Sequence, residues 1–286
     1  MQFVVGDWHL WFKTRDDAVI YPKLARLGAQ GVEVGVYKEA DLADERLEQL
    51  NALKKKHRLE IPIVSFFLHR HQWPKGALIS DDQAVRSKVV AELKAIGRRA
   101  KKLGARTIGI WLGADLVQGY MDHPRRWKIY ADHLRNAVEF LGELDLRLAL
   151  EYKPGELIGN ADSLMRMSDQ LDLPNFGVLL DTGHALAQGE DLVQAVDKCQ
   201  GRIFHVHIDD NSGGADDDLP PGQVHNFAPF FKALERAGFD GTVGLDIWYY
   251  LEHTGTDPEE AIKESKAYLD TMWPVPKKRV GKRARA

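Results

Sequence analysis

The sequence predicts a single α/β domain, a (β/α)8 barrel in which eight parallel strands close into a ring inside a layer of helices. Strand-like and helix-like hydrophobic patterns alternate eight times along 286 residues. Charged residues make up 28% of the chain and hydrophobic residues 44%, values that are typical of a globular protein. No linker or change in composition divides the chain. An open, doubly wound sheet is the alternative architecture for the same pattern.

Each predicted element follows from the period of its apolar residues. Apolar runs predict strands at residues 3–8, 31–36, 61–67, 107–113, 147–153, 176–181, 203–209 and 242–249. Amphipathic stretches predict helices at about residues 16–27, 42–57, 81–103, 124–144, 160–171, 191–198, 227–237 and 258–272. Gly28, Gly104 and Gly238 each stand between a helix and the next strand, where a left-handed residue commonly ends a helix. We therefore expect the barrel to span residues 1–275.

The end of the chain differs from the rest in charge. Residues 277–286 contain six lysines or arginines and no acid, whereas the net charge of the whole chain is −3. We expect residues 276–286 to form a short, disordered basic tail. The remainder is clearly acidic, and an acidic body is a poor match for a nucleic-acid backbone.

Two further features limit the class of protein. Cys199 is the only cysteine, so neither a disulfide within the chain nor a cysteine-rich zinc site can form. No apolar run approaches the ~18 residues that a membrane span requires, and no basic segment with an apolar run follows the first methionine. We expect a cytoplasmic protein without a membrane partner.

The residues best suited to catalysis or metal binding lie at the ends of the last four predicted strands. Barrels place their active sites at this face. Four neighbouring strand ends carry Glu151, Asp181, His207 and Asp246. Three converging carboxylates repel one another unless a cation joins them. Oxygen ligands with one imidazole suit Mn²⁺, Co²⁺ or Mg²⁺, so these residues predict a divalent metal site.

A second group of ligand-type residues lies beside the first. His184 follows Asp181 by three residues, and Asp216 and Asp218 lie in the loop after strand seven. With Glu151 as a bridge, they predict a second oxygen-rich site. Together with the first group the site holds five carboxylates, which two divalent cations and Lys153 would neutralise. A solvent-exposed turn is the alternative interpretation of the acidic loop.

These motifs resemble the xylose-isomerase-like superfamily of sugar isomerases and epimerases, and within it the two-metal xylose and rhamnose isomerases. The matching residues are Glu151-Tyr-Lys153, Asp181-Thr-Gly-His184, His207 with Asp216-Asp-Asp218, and Asp246. The resemblance implies a structural metal held by Glu151, Asp181, His207 and Asp246. It also implies a catalytic metal held by Glu151, His184, Asp216 and Asp218. Mn²⁺ is the first expectation for both, with Co²⁺, Mg²⁺ and Zn²⁺ as alternatives.

The activity that this resemblance implies is aldose–ketose isomerisation of an unphosphorylated sugar by a hydride shift. Lys153 would stabilise charge on the substrate oxygen, and Asp218 would steady the water that moves the hydroxyl proton. His69 is the candidate for opening the sugar ring. The expected partner is a small sugar, and barrels of this kind often form homo-oligomers.

Other activities remain open within the same superfamily. A ketose 3-epimerase would move a proton between Glu151 and a second carboxylate, although Asp246 is shorter than the glutamate that epimerases usually carry there. Abasic-site endonucleases carry a histidine at strand four, where this chain has Trp111. A non-catalytic sugar-binding protein is a further alternative.

Several further residues are candidates for substrate contact or for a structural role. Trp8, Trp111 and Trp248 would present aromatic faces to the C–H faces of a sugar, and His225 would approach the sugar from a loop. Packing in the core is the alternative for the aromatic residues. Glu33 lies within strand two and lines the barrel in this prediction, but no role is assigned to it.

Overall fold

A closed barrel of eight parallel strands forms the centre of the molecule. The structure is a computed structural model that describes residues 1–69, 71–74, 76–111, 124–213 and 216–273. The strands pair in chain order, and β1 pairs with β8 to close the ring. They are β1 (Gln2–Gly6), β2 (Gly31–Val36), β3 (Glu60–Phe66), β4 (Thr107–Ile110), β5 (Arg147–Glu151), β6 (Phe176–Asp181), β7 (Ile203–Ile208) and β8 (Thr242–Leu245). The predicted (β/α)8 barrel is confirmed, and the predicted basic tail, 276–286, lies outside the described residues.

Helices surround the barrel and occupy the connections between its strands. Within the described residues they are α1 (Asp17–Arg26), α2 (Asp44–His57), α3 (Gln83–Leu103), α4 (Pro124–Glu143), α5 (Ala161–Leu171), α6 (Thr182–Ala187), α7 (Leu192–Lys198), α8 (Ala228–Arg236), α9 (Trp248–Thr254) and α10 (Pro258–Met272). Two 3₁₀ helices, Asp7–Leu10 and Glu39–Leu42, follow β1 and β2. No helix in the described part of the chain combines the length and the apolar character that crossing a lipid bilayer requires.

Local sequence signals account for the strand and helix boundaries. Every residue of β2 is buried, as expected for a parallel strand covered on both faces. Asp16 begins α1 because its side chain accepts a hydrogen bond from the backbone N–H of Ala18 at 2.9 Å. Gly104 ends α3 with a φ of 78°, a conformation that glycine adopts at little cost.

Six of the eight strands end earlier than the sequence pattern predicts, whereas β2 and β6 end where predicted, and α9 begins where β8 was expected to continue. β8 ends at Leu245, because the N–H of Ile247 donates to His9 Nε2 at 3.1 Å instead of to a neighbouring strand. Trp248 then opens α9. Asp181 ends β6 and begins α6 by accepting from the N–H of His184 at 2.8 Å. The functional side chains therefore lie on strand ends and on the first turns that follow.

Candidate active site

A cavity of about 310 Å³ opens at the C-terminal mouth of the barrel. Its charged and imidazole lining includes Glu151, Lys153, Asp181, His184, His207, Asp216, Asp218 and Asp246, and also His69. The structure therefore brings together the seven predicted metal ligands and the predicted catalytic residues. It does so at the face where parallel barrels place their active sites, as the sequence predicts.

His207 lies at the centre of the first predicted metal group. Its Nδ1 atom is 3.0 Å from Glu151 Oε1, 3.4 Å from Asp246 Oδ2 and 3.6 Å from Asp181 Oδ2. His207, Glu151 and Asp181 are buried, and the Asp246 side chain is 23% exposed. Ligand atoms about 2.1 Å from one divalent cation lie about 3 Å apart on adjacent vertices of an octahedron. The four side chains are of the types that a divalent cation prefers, and the donor atoms of Asp181, His207 and Asp246 all lie within 4.8 Å of one another.

Electrostatics at this group favour binding of a cation. Burial raises the pKa of Glu151, and the Asp181 carboxylate beside it acts in the same direction. Burial alone lowers the pKa of His207, but Glu33, Asp181 and Glu151 raise it well above its usual range. Without a metal, a proton on the imidazole thus partly balances the surrounding carboxylates, and a bound cation would take over that role.

The second predicted group is only partly assembled. His184 Nδ1 lies 2.9 Å from Asp216 Oδ1, and Lys153 Nζ lies 3.4 Å from Asp216 Oδ2. Asp218 instead accepts from the backbone N–H of Tyr249 at 2.9 Å. Burial alone lowers the pKa of His184, whereas Asp181 and Asp216 raise it to about 10. In the described chain, three groups of three ligand-type residues have donor atoms that all lie within 4.8 Å of one another, and none of them contains Asp216 or Asp218.

The position of His184 depends on a close approach between two backbone segments. Asp209 Oδ1 accepts from the N–H of Gly183 at 2.8 Å, and the Thr182 hydroxyl donates to the backbone oxygen of Asp209 at 2.7 Å. A Cβ atom on Gly183 would overlap the Asp209 carboxylate. Glycine at this position therefore allows the first turn of α6 to pack against the end of β7, where it presents His184 to the cavity.

Aromatic side chains also line the cavity. Trp8, Trp111 and Trp248, the three tryptophans predicted to contact substrate, all line it. Phe67 packs between Trp8, at a ring-centroid distance of 5.2 Å, and Trp111, at 5.6 Å. His69 lies beside Trp111 at 5.1 Å. Such a wall suits the apolar faces of a sugar ring or chain.

One predicted substrate contact lies elsewhere. His225 is not among the described residues that line the cavity. Its Nδ1 atom is 2.7 Å from Asp210 Oδ1, and Asp210 also accepts from the backbone N–H groups of Gly222 and Val224. The buried carboxylate of Asp210 holds His225 within the loop after β7. This histidine therefore does not reach the cavity.

Two further residues support the site, and the sequence had assigned a role to neither. Glu33 is fully buried on β2 and contacts the Nε2 atoms of both His205 and His207. Although burial opposes it, the two histidines hold the pKa of Glu33 well below its usual range. His9, which accepts from the N–H of Ile247, lies 3.7 Å from Asp246. The presence of an acidic residue within the apolar run of β2 was the sequence signal that pointed to Glu33. The sequence offered no comparable signal for His9.

Comparison with known proteins agrees with this architecture. The model of a family described as "Xylose isomerase-like TIM barrel" matches residues 22–272. L-ribulose-5-phosphate 3-epimerase UlaE of Escherichia coli K12 is 24% identical over 254 residues, which cover 85% of each chain. A crystal structure of D-psicose 3-epimerase with D-tagatose, from Clostridium cellulolyticum H10, has a TM-score of 0.79 and 20% identity, covering 95% of this chain and 98% of that one. The structure of the IOLI protein with a zinc atom has a TM-score of 0.78 and 18% identity, covering 96% and 100%.

Proposed function

Because the chain belongs to the xylose isomerase-like TIM barrel family, we propose that it is a metal-dependent ketose 3-epimerase that acts on an unphosphorylated sugar. The observation that carries the proposal is the convergence of Glu151, Asp181 and Asp246 on His207 Nδ1 inside the cavity. The similar proteins named above as epimerases support this activity over aldose–ketose isomerisation, the first expectation from the motifs.

Four residues would hold the cation: Glu151, Asp181, His207 and Asp246. Mn²⁺ is the first candidate, and Co²⁺, Mg²⁺ and Zn²⁺ are the alternatives; the zinc atom in the similar IOLI structure supports a divalent ion in general. When bound, such a cation would polarise the carbonyl and a neighbouring hydroxyl of a ketose, which makes the proton on the carbon between them more acidic.

Two of the carboxylates would move that proton. Glu151 ends β5 and Asp246 follows β8, three strands further around the ring, so they approach a substrate from different sides of the mouth. In one direction, Glu151 takes the C3 proton and leaves an enediolate across C2 and C3. Asp246 acts as the acid and delivers its own proton to the opposite face of C3, so that Glu151 ends protonated and Asp246 ionised until both exchange with solvent. The raised pKa of Glu151 suits a group that alternately accepts and releases a proton.

The remaining lining favours a substrate without a phosphate group. Among the described residues that line the cavity, Lys153 is the only lysine or arginine. Lys153 already faces Asp216 at 3.4 Å. A phosphate would meet a strongly acidic cavity with one cation that is already paired, whereas hydroxyl groups and C–H faces match the carboxylates and the aromatic wall.

A panel of sugars tests the proposal. The purified protein, loaded with Mn²⁺, is incubated separately with common ketopentoses and ketohexoses, and products are identified by chromatography and NMR. We expect the C3 epimer of at least one ketose. The formation of aldoses without any C3 epimer would contradict the proposal.

Aldose–ketose isomerisation is the second candidate, and one observation favours it. Lys153, Asp216 and His184 form a contiguous chain of contacts at the cavity wall, and residues of these types would bind a substrate oxygen or contribute to a second cation site. The same panel separates the two activities, since an isomerase converts a ketose to an aldose and leaves C3 unchanged.

A further inference from the structure

We propose that Glu33 is a positioning residue that fixes the imidazole of His207 so that its Nδ1 atom is available as a metal ligand. The inference rests on the proposed metal site. It assigns a role to a buried acid that lies outside the set of ligands and cannot reach a substrate in the cavity.

Glu33 is held rigidly in the interior of the barrel. Both of its oxygens face His207 Nε2, at 3.2 and 3.3 Å. Glu33 Oε2 also lies 3.0 Å from His205 Nε2, and the Ser65 hydroxyl donates to Glu33 Oε1. His205 is fixed in turn, because its Nδ1 atom is 2.6 Å from the hydroxyl of Thr242. Residues of β2, β3, β7 and β8 thus combine to hold one carboxylate in place.

This carboxylate determines which nitrogen of His207 carries the proton when the ring is neutral. An ionised carboxylate only accepts hydrogen bonds, so Nε2 must donate to Glu33. The lone pair then lies on Nδ1, the atom that faces Glu151 at 3.0 Å and Asp246 at 3.4 Å. Without Glu33, the imidazole could instead donate Nδ1–H to one of those carboxylates. The ring would then be unable to bind a cation there.

Spectroscopy of the wild-type protein tests the assignment directly. The full chain, labelled with ¹⁵N and loaded with Zn²⁺ as a diamagnetic probe, is studied by long-range ¹H–¹⁵N NMR, and His207→Asn identifies the His207 signals. We expect a proton on His207 Nε2 and a metal-shifted Nδ1. A proton on Nδ1 with Nε2 bound to the metal would overturn the proposal.

Three substitutions separate orientation of the ring from simple attraction of the cation by charge. Glu33→Asp keeps the charge but is too short to reach His207. Glu33→Gln loses the charge but keeps an oxygen that can accept from Nε2, while its amide donates to His205. Glu33→Ala loses both. We expect Mn²⁺ affinity, measured by calorimetry, to fall about 10- to 100-fold in Glu33→Asp and Glu33→Ala and by only about threefold in Glu33→Gln.

The opposite order would overturn the proposal. If charge alone mattered, Glu33→Asp would bind Mn²⁺ like the wild type and Glu33→Gln would lose affinity. Glu60→Gln, at the exposed start of β3, is the matched control, because it neutralises a glutamate outside the contacts that join Glu33, His205 and His207; its affinity should match that of the wild type. If a Glu33 variant fails to fold, the wild-type NMR measurement still decides the question.

Neither readout depends on sugar turnover, so the two proposals can fail separately. Tight Mn²⁺ binding with the predicted tautomer, but no C3 epimer from any ketose, would refute the proposed activity and support the role of Glu33. Normal epimerisation with Nδ1 protonated would support the proposed activity and refute the role of Glu33.

Discussion

His207 Nδ1 lies 3.0 Å from Glu151 Oε1, although the two residues are 56 positions apart and their strands, β5 and β7, are separated by β6. The contact joins the ends of two strands that are not adjacent in the barrel. It joins a nitrogen base to a carboxylate that is buried beside two further carboxylates, Asp181 and Asp246. A cation is the simplest means of stabilising such a group.

Replacement of His207 should abolish tight metal binding. We expect His207→Asn to weaken Mn²⁺ binding by at least about 100-fold, because it removes the nitrogen around which the three carboxylates converge. Calorimetry on protein treated with a chelator provides the measurement, and His57→Asn at the end of α2 serves as the control. Unchanged affinity in His207→Asn would place the metal site elsewhere.

Phosphorylated ketoses should be poor substrates. We expect kcat/KM for L-ribulose to exceed that for L-ribulose 5-phosphate by at least about tenfold, because the described lining offers a single cation among many carboxylates. Initial rates with the two sugars under identical Mn²⁺ loading provide the comparison. A preference for the phosphate ester would show that a cationic group outside the described lining completes the site.

A methyl group on Gly183 should disturb the site without touching a ligand. Gly183→Ala forces the first turn of α6 away from Asp209, because the added Cβ would overlap that carboxylate. We expect the free energy of unfolding to fall by about 1–3 kcal/mol and turnover to fall with it. Gly189→Ala serves as a comparison, since a Cβ there meets no atom within 4 Å, although its φ of 72° adds some strain. A Gly183→Ala variant as stable and active as the wild type would contradict this packing argument.

A buried acid remote from the metal ligands predicts a pH dependence of stability. Burial raises the pKa of Asp7 to about 7, although Arg46 opposes this, from an ordinary value of 3.8. The folded state therefore binds more protons than the unfolded state between about pH 4 and 7. The contribution of protonated Asp7 to the free energy of unfolding is complete below about pH 4. It is lost as the pH rises to 7, at up to about 1.4 kcal/mol per pH unit.

Urea unfolding of the metal-free wild type and of Asp7→Asn measures this effect. The difference in unfolding free energy, wild type minus variant, should decrease as the pH rises from 4 to 7. A difference that stays constant or increases over that range would show that Asp7 remains ionised in the folded protein.

Periodicity predicted the barrel because eight alternations of strand and helix are a property of the whole chain, and no single boundary decides them. The boundaries themselves depend on tertiary hydrogen bonds. β8 stops at Leu245 since His9, more than 200 residues away in sequence, accepts from Ile247. No local pattern carries that information.

The site was predictable to the extent that strand ends determine it. Glu151, Asp181, His207 and Asp246 follow from position alone, since parallel strands bring their C-terminal ends together. The contribution of Glu33 depends on which side chains meet inside the barrel. Likewise, the pairing of His225 with Asp210 decides that this histidine stays in its loop.

Incorporation of solvent deuterium at C3 tests the central claim most directly. During epimerisation in D₂O, we expect the product ketose to carry deuterium at C3, because the proton that Asp246 delivers to C3 has exchanged with solvent. Glu151→Gln should reduce this incorporation by at least about 100-fold, whereas Glu60→Gln, at the opposite end of the barrel, should leave it unchanged. Conversion of a ketose without any deuterium at C3, with hydrogen transferred instead between C1 and C2, would contradict the account.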